Sequence, residues 1–197
     1  METANTKNAL ISGCSTGIGY AIAETFARDG YRVYATMRNP QKAPVLAELA
    51  KKENLPITVV TMDVDDGESI KSAINDVIAK AGHIDVLINN AGIGTVGPVE
   101  ELPFEFFQDI IQTNFFGALR CIQGVLPDMR KRNSGHIINI TSVAGKMYSS
   151  CHGSYSASKA ALEALSEILS SEVAPFGIKV SVVEPGVIDT PIITIPN

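Results

Sequence analysis

The chain has 197 residues, 45% of them apolar and 19% charged, which suits a folded globular domain and excludes a disordered or low-complexity protein. A net charge of -5 without a basic block argues against a nucleic-acid partner, and no apolar run is long enough to span a bilayer. Cys14, Cys121 and Cys151 lack metal-ligand spacing and, being odd in number, cannot all pair, so a reducing, cytoplasmic setting without a metal is expected.

Strands are predicted at 8–12, 31–36, 57–62, 84–88, 136–141 and 178–183, and helices at 18–29, 41–53, 67–81, 103–131 and 154–175. The alternation implies right-handed crossovers and one α/β domain over residues 1–197, a doubly wound parallel sheet with helices on both faces. The first strand runs into Ser12-Gly13-Cys14-Ser15-Thr16-Gly17-Ile18-Gly19 and then an amphipathic stretch. Strand, glycine turn and helix in this order bring backbone N–H groups to a pyrophosphate at a helix N-terminus. Such a turn also serves merely to end a strand. The second strand ends in Thr36-Met37-Arg38, with no carboxylate to accept a ribose 2′-hydroxyl. Arg38 is placed to pair with a 2′-phosphate, so NADP(H) is preferred over a possible NAD(H); a solvated loop arginine is the plainer reading.

Tyr155 and Lys159, in Tyr155-Ser156-Ala157-Ser158-Lys159, lie one turn apart on one helix face, and Ser142 ends an earlier strand. An ammonium beside a phenol favours the phenolate and moves proton exchange toward neutral pH. A hydroxyl from another element can hold the oxygen being protonated. The trio suits carbonyl reduction or alcohol oxidation when a hydride carrier is bound. The histidines His83, His136 and His152 are scattered and form no cluster.

These two motifs, with Asn89-Asn90-Ala91-Gly92, Asn114, Pro185-Gly186 and Thr190 in order, resemble the short-chain dehydrogenase/reductase family over nearly the whole chain. Val33-Tyr34-Ala35-Thr36-Met37-Arg38 and Leu126-Pro127-Asp128-Met129 look most like its hydroxysteroid and retinol dehydrogenase branch. The resemblance implies a Rossmann-like sheet of strand order 3-2-1-4-5-6 with the cofactor at its switch point. It makes Tyr155 the general acid and base, Lys159 the partner that lowers its proton affinity and binds the nicotinamide ribose, and Ser142 the holder of the substrate oxygen. Asn114, otherwise an exposed surface residue, sits at a local kink whose backbone carbonyl holds a relay water.

The same resemblance places Gly13, Ser15, Ile18 and Gly19 along the pyrophosphate and adenosine side, and Asn90 and Gly92 at the adenosine ribose. It places Ile188 and Thr190 at the carboxamide and Asp63 at the adenine, where a helix-capping carboxylate is the alternative. Val143, Met147, Tyr148 and Val187, with Ile192 and Ile193, then form an apolar substrate pocket for a secondary alcohol or ketone of steroid or retinoid type. An acyl-thioester or sugar ketone reductase, or a non-catalytic NAD(P)-sensing regulator, are the rival readings. The alanine-rich helix at 154–175 implies a homodimer or homotetramer. Cys14 and Cys151 are expected near the site. The chain stops at Pro196-Asn197, where the family continues through a lid, a helix and a last strand. A further segment of about 50 residues is therefore expected, and an intact mass matching 197 residues would refute it.

Overall fold

The apolar runs and amphipathic stretches become strands and crossover helices in the computed structural model, which describes residues 6–194, with side chains through 192. In chain order the elements are β1 (Asn8–Ile11), α1 (Gly17–Arg28), β2 (Arg32–Met37), α2 (Val45–Glu53), β3 (Ile57–Thr61), α3 (Gly67–Ala81), β4 (Val86–Asn89) and β5 (Gly94–Thr95). There follow α4 (Phe104–Ile111), α5 (Ala118–Arg132), β6 (Gly135–Ile140), α6 (Gly153–Val173), β7 (Ile178–Val183) and β8 (Ile193–Thr194). Six strands form one parallel sheet in the order β3-β2-β1-β4-β6-β7, the expected order once the short β5 is set aside. β5 and β8 form a separate two-stranded parallel ribbon that the sequence pattern does not announce.

All four residues of β1 and of β4 are buried, because helices cover both faces of the central strands. Alternate side chains divide between two cores. Leu10, Leu87 and Ile137 pack with α3, α5 and the end of α6. Ala9, Ile11, Val33 and Ile88 pack with α1 and α2. The sheet is thus the middle of three layers, and the C-terminal ends of β1, β4 and β6 open at the point where chain order reverses.

Several boundaries differ from the sequence pattern. The helix expected at 41–53 starts only at Val45, because Pro40 opens a short 3-10 turn and Pro44 sits at the helix N-cap. The helix expected at 154–175 ends at Val173, followed by a 3-10 turn that contains Pro175. The single helix expected at 103–131 is three pieces: α4, a π-helical segment at Gln112–Gly117, and α5. A buried amide chain ties the sheet to α6: Asn89 Nδ2 donates to Asn139 Oδ1 (2.8 Å) and Asn139 Nδ2 donates to Ser166 Oγ (2.8 Å). In a dry interior such bonds fix relative position as well as contributing energy. They hold the ends of β4 and β6 against the helix that carries Tyr155 and Lys159. Among the described residues no helix is long and apolar enough to cross a membrane.

Candidate active site

The turn after β1 is built around close backbone approach. Gly13 has φ of +72°, and a Cβ there would lie 2.7 Å from Ala91 Cα. A Cβ on Gly19 would lie 2.3 Å from the Gly13 carbonyl oxygen, so α1 sits directly on the turn. Asn90 Nδ2 donates to the carbonyls of Ser12 (2.9 Å) and Gly13 (3.0 Å), and Ser12 Oγ accepts from the backbone N–H groups of Asn90 and Ala91 (both 3.0 Å). The turn and the end of β4 are thereby one rigid unit. α1 begins without a side-chain cap and without an acidic residue in its first turn. Its free N–H groups therefore favour an anion there.

A single cavity runs from this turn in both directions. Met37, Arg38, Asn39 and Lys42 line one end, Met62, Val64 and Asp65 one wall, and Ile93, Lys159, Thr190 and Ile192 the other end. Its length follows the C-terminal ends of β2, β1, β4 and β6, the crevice where parallel α/β sheets bind nucleotides. The exposed Arg38 and Lys42 have no carboxylate partner among the described ion pairs. The glycine turn and the uncapped helix start together fit the pyrophosphate of a dinucleotide.

At the far end, α6 brings Lys159 to the cavity wall, with Tyr155 one turn earlier on the same helix. The Lys159 side chain is buried, and its Nζ donates to the Ile140 carbonyl (2.9 Å) and lies 5.7 Å from the Tyr155 ring centre. Burial pulls this ammonium down to about 8, with Glu163 acting in the opposite direction. The Tyr155 phenol is raised above its ordinary value, chiefly by burial, while a hydrogen bond from the Ser142 side chain lowers it. The direction is opposite to the net depression expected beside Lys159. The ammonium is turned to a β6 carbonyl, and desolvation outweighs any help the phenolate receives. Ser142 Oγ accepts from Ala144 N (3.1 Å), which fixes the hydroxyl at the start of a 3-10 turn.

Asn114 lies in the π-helical segment and is buried. Its side chain makes three bonds: Nδ2 donates to the Ile93 carbonyl (2.9 Å) and to Ser158 Oγ (3.0 Å), and Oδ1 accepts from Ile93 N (2.8 Å). Ser158 Oγ in turn donates to the Tyr155 carbonyl (2.7 Å). One amide therefore joins the loop after β4 to the first turn of α6. π-helical insertions of this kind concentrate at functional sites.

The structure brings Gly13, Ser15, Ile18, Arg38, Asn90, Gly92, Lys159 and Thr190 to the cavity wall. Gly92 faces Asn114 and Lys159 rather than the adenosine end, since a Cβ there would lie 3.2 Å from Asn114 Oδ1 and 3.6 Å from Lys159 Nζ. Four expected cofactor contacts do not line the cavity, Tyr155 among them. Gly19 is a packing glycine and does not line the cavity. Ile188 borders a separate apolar groove with Ile22 and Phe26 of α1. Asp63 Oδ1 accepts from Asp65 N (3.0 Å) and is absent from the cavity wall, while Asp66 is the residue that caps α3. Asp65 is the carboxylate at the wall, and both its oxygens accept from Thr113 Oγ1 (2.9 and 3.0 Å). Val143, Met147, Tyr148 and Val187 are all exposed, Val187 fully, so they form an open apolar surface rather than a closed pocket. The side chain of Ile193 lies outside the described residues. Cys14 is buried with its thiol pushed up to about 12, which removes it as a reactive group; Cys151 is exposed. Sequence reasoning missed Ser12, Lys42, Asp65, Thr113 and Ser158. Only Ser158, three residues after Tyr155, carried a local signal.

The sequence profile of the short chain dehydrogenase family matches residues 7–194. The chain belongs to this family. It is 42% identical over 189 residues to retinol dehydrogenase 8 from Bos taurus, covering 93% of this chain and 60% of that protein. The chain thus spans three fifths of the length of that relative. Among solved structures, a short-chain dehydrogenase from Streptomyces avermitilis superposes with a TM-score of 0.91 at 40% identity, over 98% of this chain and 72% of that one. Gluconate 5-dehydrogenase from Burkholderia cenocepacia J2315, in complex with NADP and tartrate, superposes with a TM-score of 0.86 at 30% identity, over 91% of this chain and 71% of that one.

Proposed function

We propose that the protein is an oxidoreductase that interconverts an apolar secondary alcohol, of steroid, retinoid or similar lipophilic type, and its ketone, with NADP(H) preferred over NAD(H). The observation that carries this is that Lys159 lines a cavity also lined by Arg38 and Lys42, with the Tyr155 ring centre 5.7 Å from the Lys159 ammonium and the Ser142 side chain hydrogen-bonded to the Tyr155 phenol. The bound nicotinamide cofactor supplies the hydride in reduction and accepts it in oxidation. In reduction Tyr155 gives its phenolic proton to the carbonyl oxygen; in oxidation it takes the proton back. Ser142 holds the reacting oxygen and orients it.

Lys159 holds the nicotinamide ribose hydroxyls and Thr190 the carboxamide side. The turn at Gly13, Ser15 and Ile18 receives the pyrophosphate, and the Asp63–Asp65 turn with Asn90 borders the adenosine. Arg38 and Lys42 receive a 2′-phosphate, and the NADP-bound relative supports this cofactor choice. The open surface of Met147, Tyr148 and Val187, together with similarity to a retinol dehydrogenase, supports a lipophilic substrate. The exposed Ala157, Ala164 and Ile168 on α6 support a two-fold contact with a second copy, and the three free cysteines support a reducing, cytoplasmic setting.

The test is a panel of lipophilic, sugar and acyl-thioester alcohols and ketones, read by nicotinamide absorbance with both cofactors, alongside Tyr155→Phe. Turnover on a lipophilic member with NADP(H), lost by at least a hundredfold in Y155F while cofactor binding persists, is expected. Tight cofactor binding with no turnover on any member would instead indicate a sensing protein.

A further inference from the structure

Glu163 stands one turn beyond Lys159 on α6, at a site where a carboxylate is costly. Its side chain is 14% exposed, and its Oε1 is buried without a hydrogen-bond partner among the described residues. A buried carboxylate oxygen with no donor must be compensated by charge. Two cations are available. Lys146 Nζ lies 3.7 Å from Glu163 Oε2 and is itself bonded to Glu184 Oε1 at 2.5 Å. Lys159 lies on the inner side, buried, with only the Ile140 carbonyl to receive one of its three donors. Charges therefore alternate along a line from the cavity to the surface: Lys159, Glu163, Lys146, Glu184.

Gly145 completes the arrangement. A Cβ there would come within 3.2 Å of both the Glu163 Cγ and the Lys159 backbone carbon. The 3-10 turn that begins at Ser142 can thus rest on α6 at the Lys159–Glu163 step. Lys146 belongs to the same turn, so its ion pair with Glu163 ties Ser142 to the helix bearing its two partners. The other groups on packed elements are less direct. Tyr155 shares the helix face, Asn114 and Ser158 are neutral, and β6 offers the Ile140 carbonyl. Glu105 and Asp109 of α4, Glu167 and Glu172 of α6 and Lys179 of β7 occupy exposed positions.

We propose that Glu163 is a positioning residue for the site, whose buried carboxylate, held from outside by Lys146, keeps the Lys159 ammonium charged at neutral pH and the Ser142 turn docked on α6. The proposal rests on the functional reading only for its consequence in turnover. The opposing action of Glu163 against burial at Lys159 agrees with it. Lys159→Met serves as the reference in which the inner charge is gone.

The experiment measures two quantities against pH, NADPH dissociation by fluorescence and unfolding in urea, for wild type, Glu163→Gln and Lys146→Gln, each with and without K159M. In E163Q the Lys159 titration moves down by about one pH unit. In K146Q it moves up by a few tenths, because Glu163 loses its outer partner and acts more strongly inward. Both shifts vanish in K159M. An unmoved titration in E163Q and K146Q, or shifts that persist in K159M, overturns the proposal. If E163Q does not fold, K146Q at the exposed position decides: no upward shift refutes it. The urea series needs neither substrate nor cofactor, so absence of turnover would count against the functional reading and leave this test intact.

Discussion

Replacing Lys159 with methionine should stabilise the protein at neutral pH while abolishing its proposed activity. The lysine is buried, and its ammonium titrates at about 8 instead of 10.5. Since the folded value lies below the unfolded one, the unfolded chain binds more protons between those limits, and wild-type stability rises with pH across the window. Below about 8 the full penalty for burying the charge is present. Linkage puts it at roughly 3 kcal/mol at pH 7 and about 1.4 kcal/mol at pH 9.5. K159M removes that penalty but also removes the bond to the Ile140 carbonyl, which costs about 1 kcal/mol. The variant should thus be more stable than wild type by about 2 kcal/mol at pH 7, or roughly 4–8 °C in Tm, and nearly equal to it at pH 9.5. Urea unfolding of both proteins at several pH values reads the gap directly. A variant less stable than wild type at pH 7, or a gap that does not close as pH rises, would refute the reasoning.

Arg38→Ala should lower kcat/KM for NADP by about tenfold to a hundredfold, the range of a lost charge-assisted hydrogen bond, and leave NAD nearly unchanged. Equal losses with both cofactors would show that Arg38 does not read the 2′-phosphate. Under native conditions a thiol reagent should modify Cys151 alone, because burial holds Cys14 and Cys121 near 12; peptide mapping before and after denaturation checks this, and native labelling of Cys14 would contradict the packing described.

What was legible in the chain follows from how local each signal is. The places of the strands and helices along the chain and the pairing of Tyr155 with Lys159 depend on periods of two and four residues, and those periods survive folding because they reflect backbone geometry alone, whereas the strand order came from the family resemblance. The position of Gly13 was likewise readable, since a strand-to-helix reversal over so few residues needs a positive φ. Gly19 was misread because its task depends on the Gly13 carbonyl that comes to meet it, a contact the spacing does not specify. The π-helical segment was invisible in detail for a related reason. Nothing in Gln112-Thr113-Asn114-Phe115-Phe116-Gly117 favours a wider turn over an ordinary one. The choice is tied instead to partners distant in sequence: Ile93 and Ser158 for Asn114, and Asp65 for Thr113.

The phenol of Tyr155 makes the same point for chemistry. Its lysine neighbour is written in the sequence, but the sign of its shift is set by how much protein surrounds it, including the close approach of Gly94 to its ring. Spacing identifies which groups can meet. Only burial decides which of their charge states the fold favours, and that depends on packing from elements dozens of residues away. For Lys159 the two effects oppose one another, and burial is the larger, so the ammonium titrates at about 8 instead of 10.5. The Glu163 carboxylate acts on it there with little solvent screening, whereas a group with an ordinary exposure would barely register it.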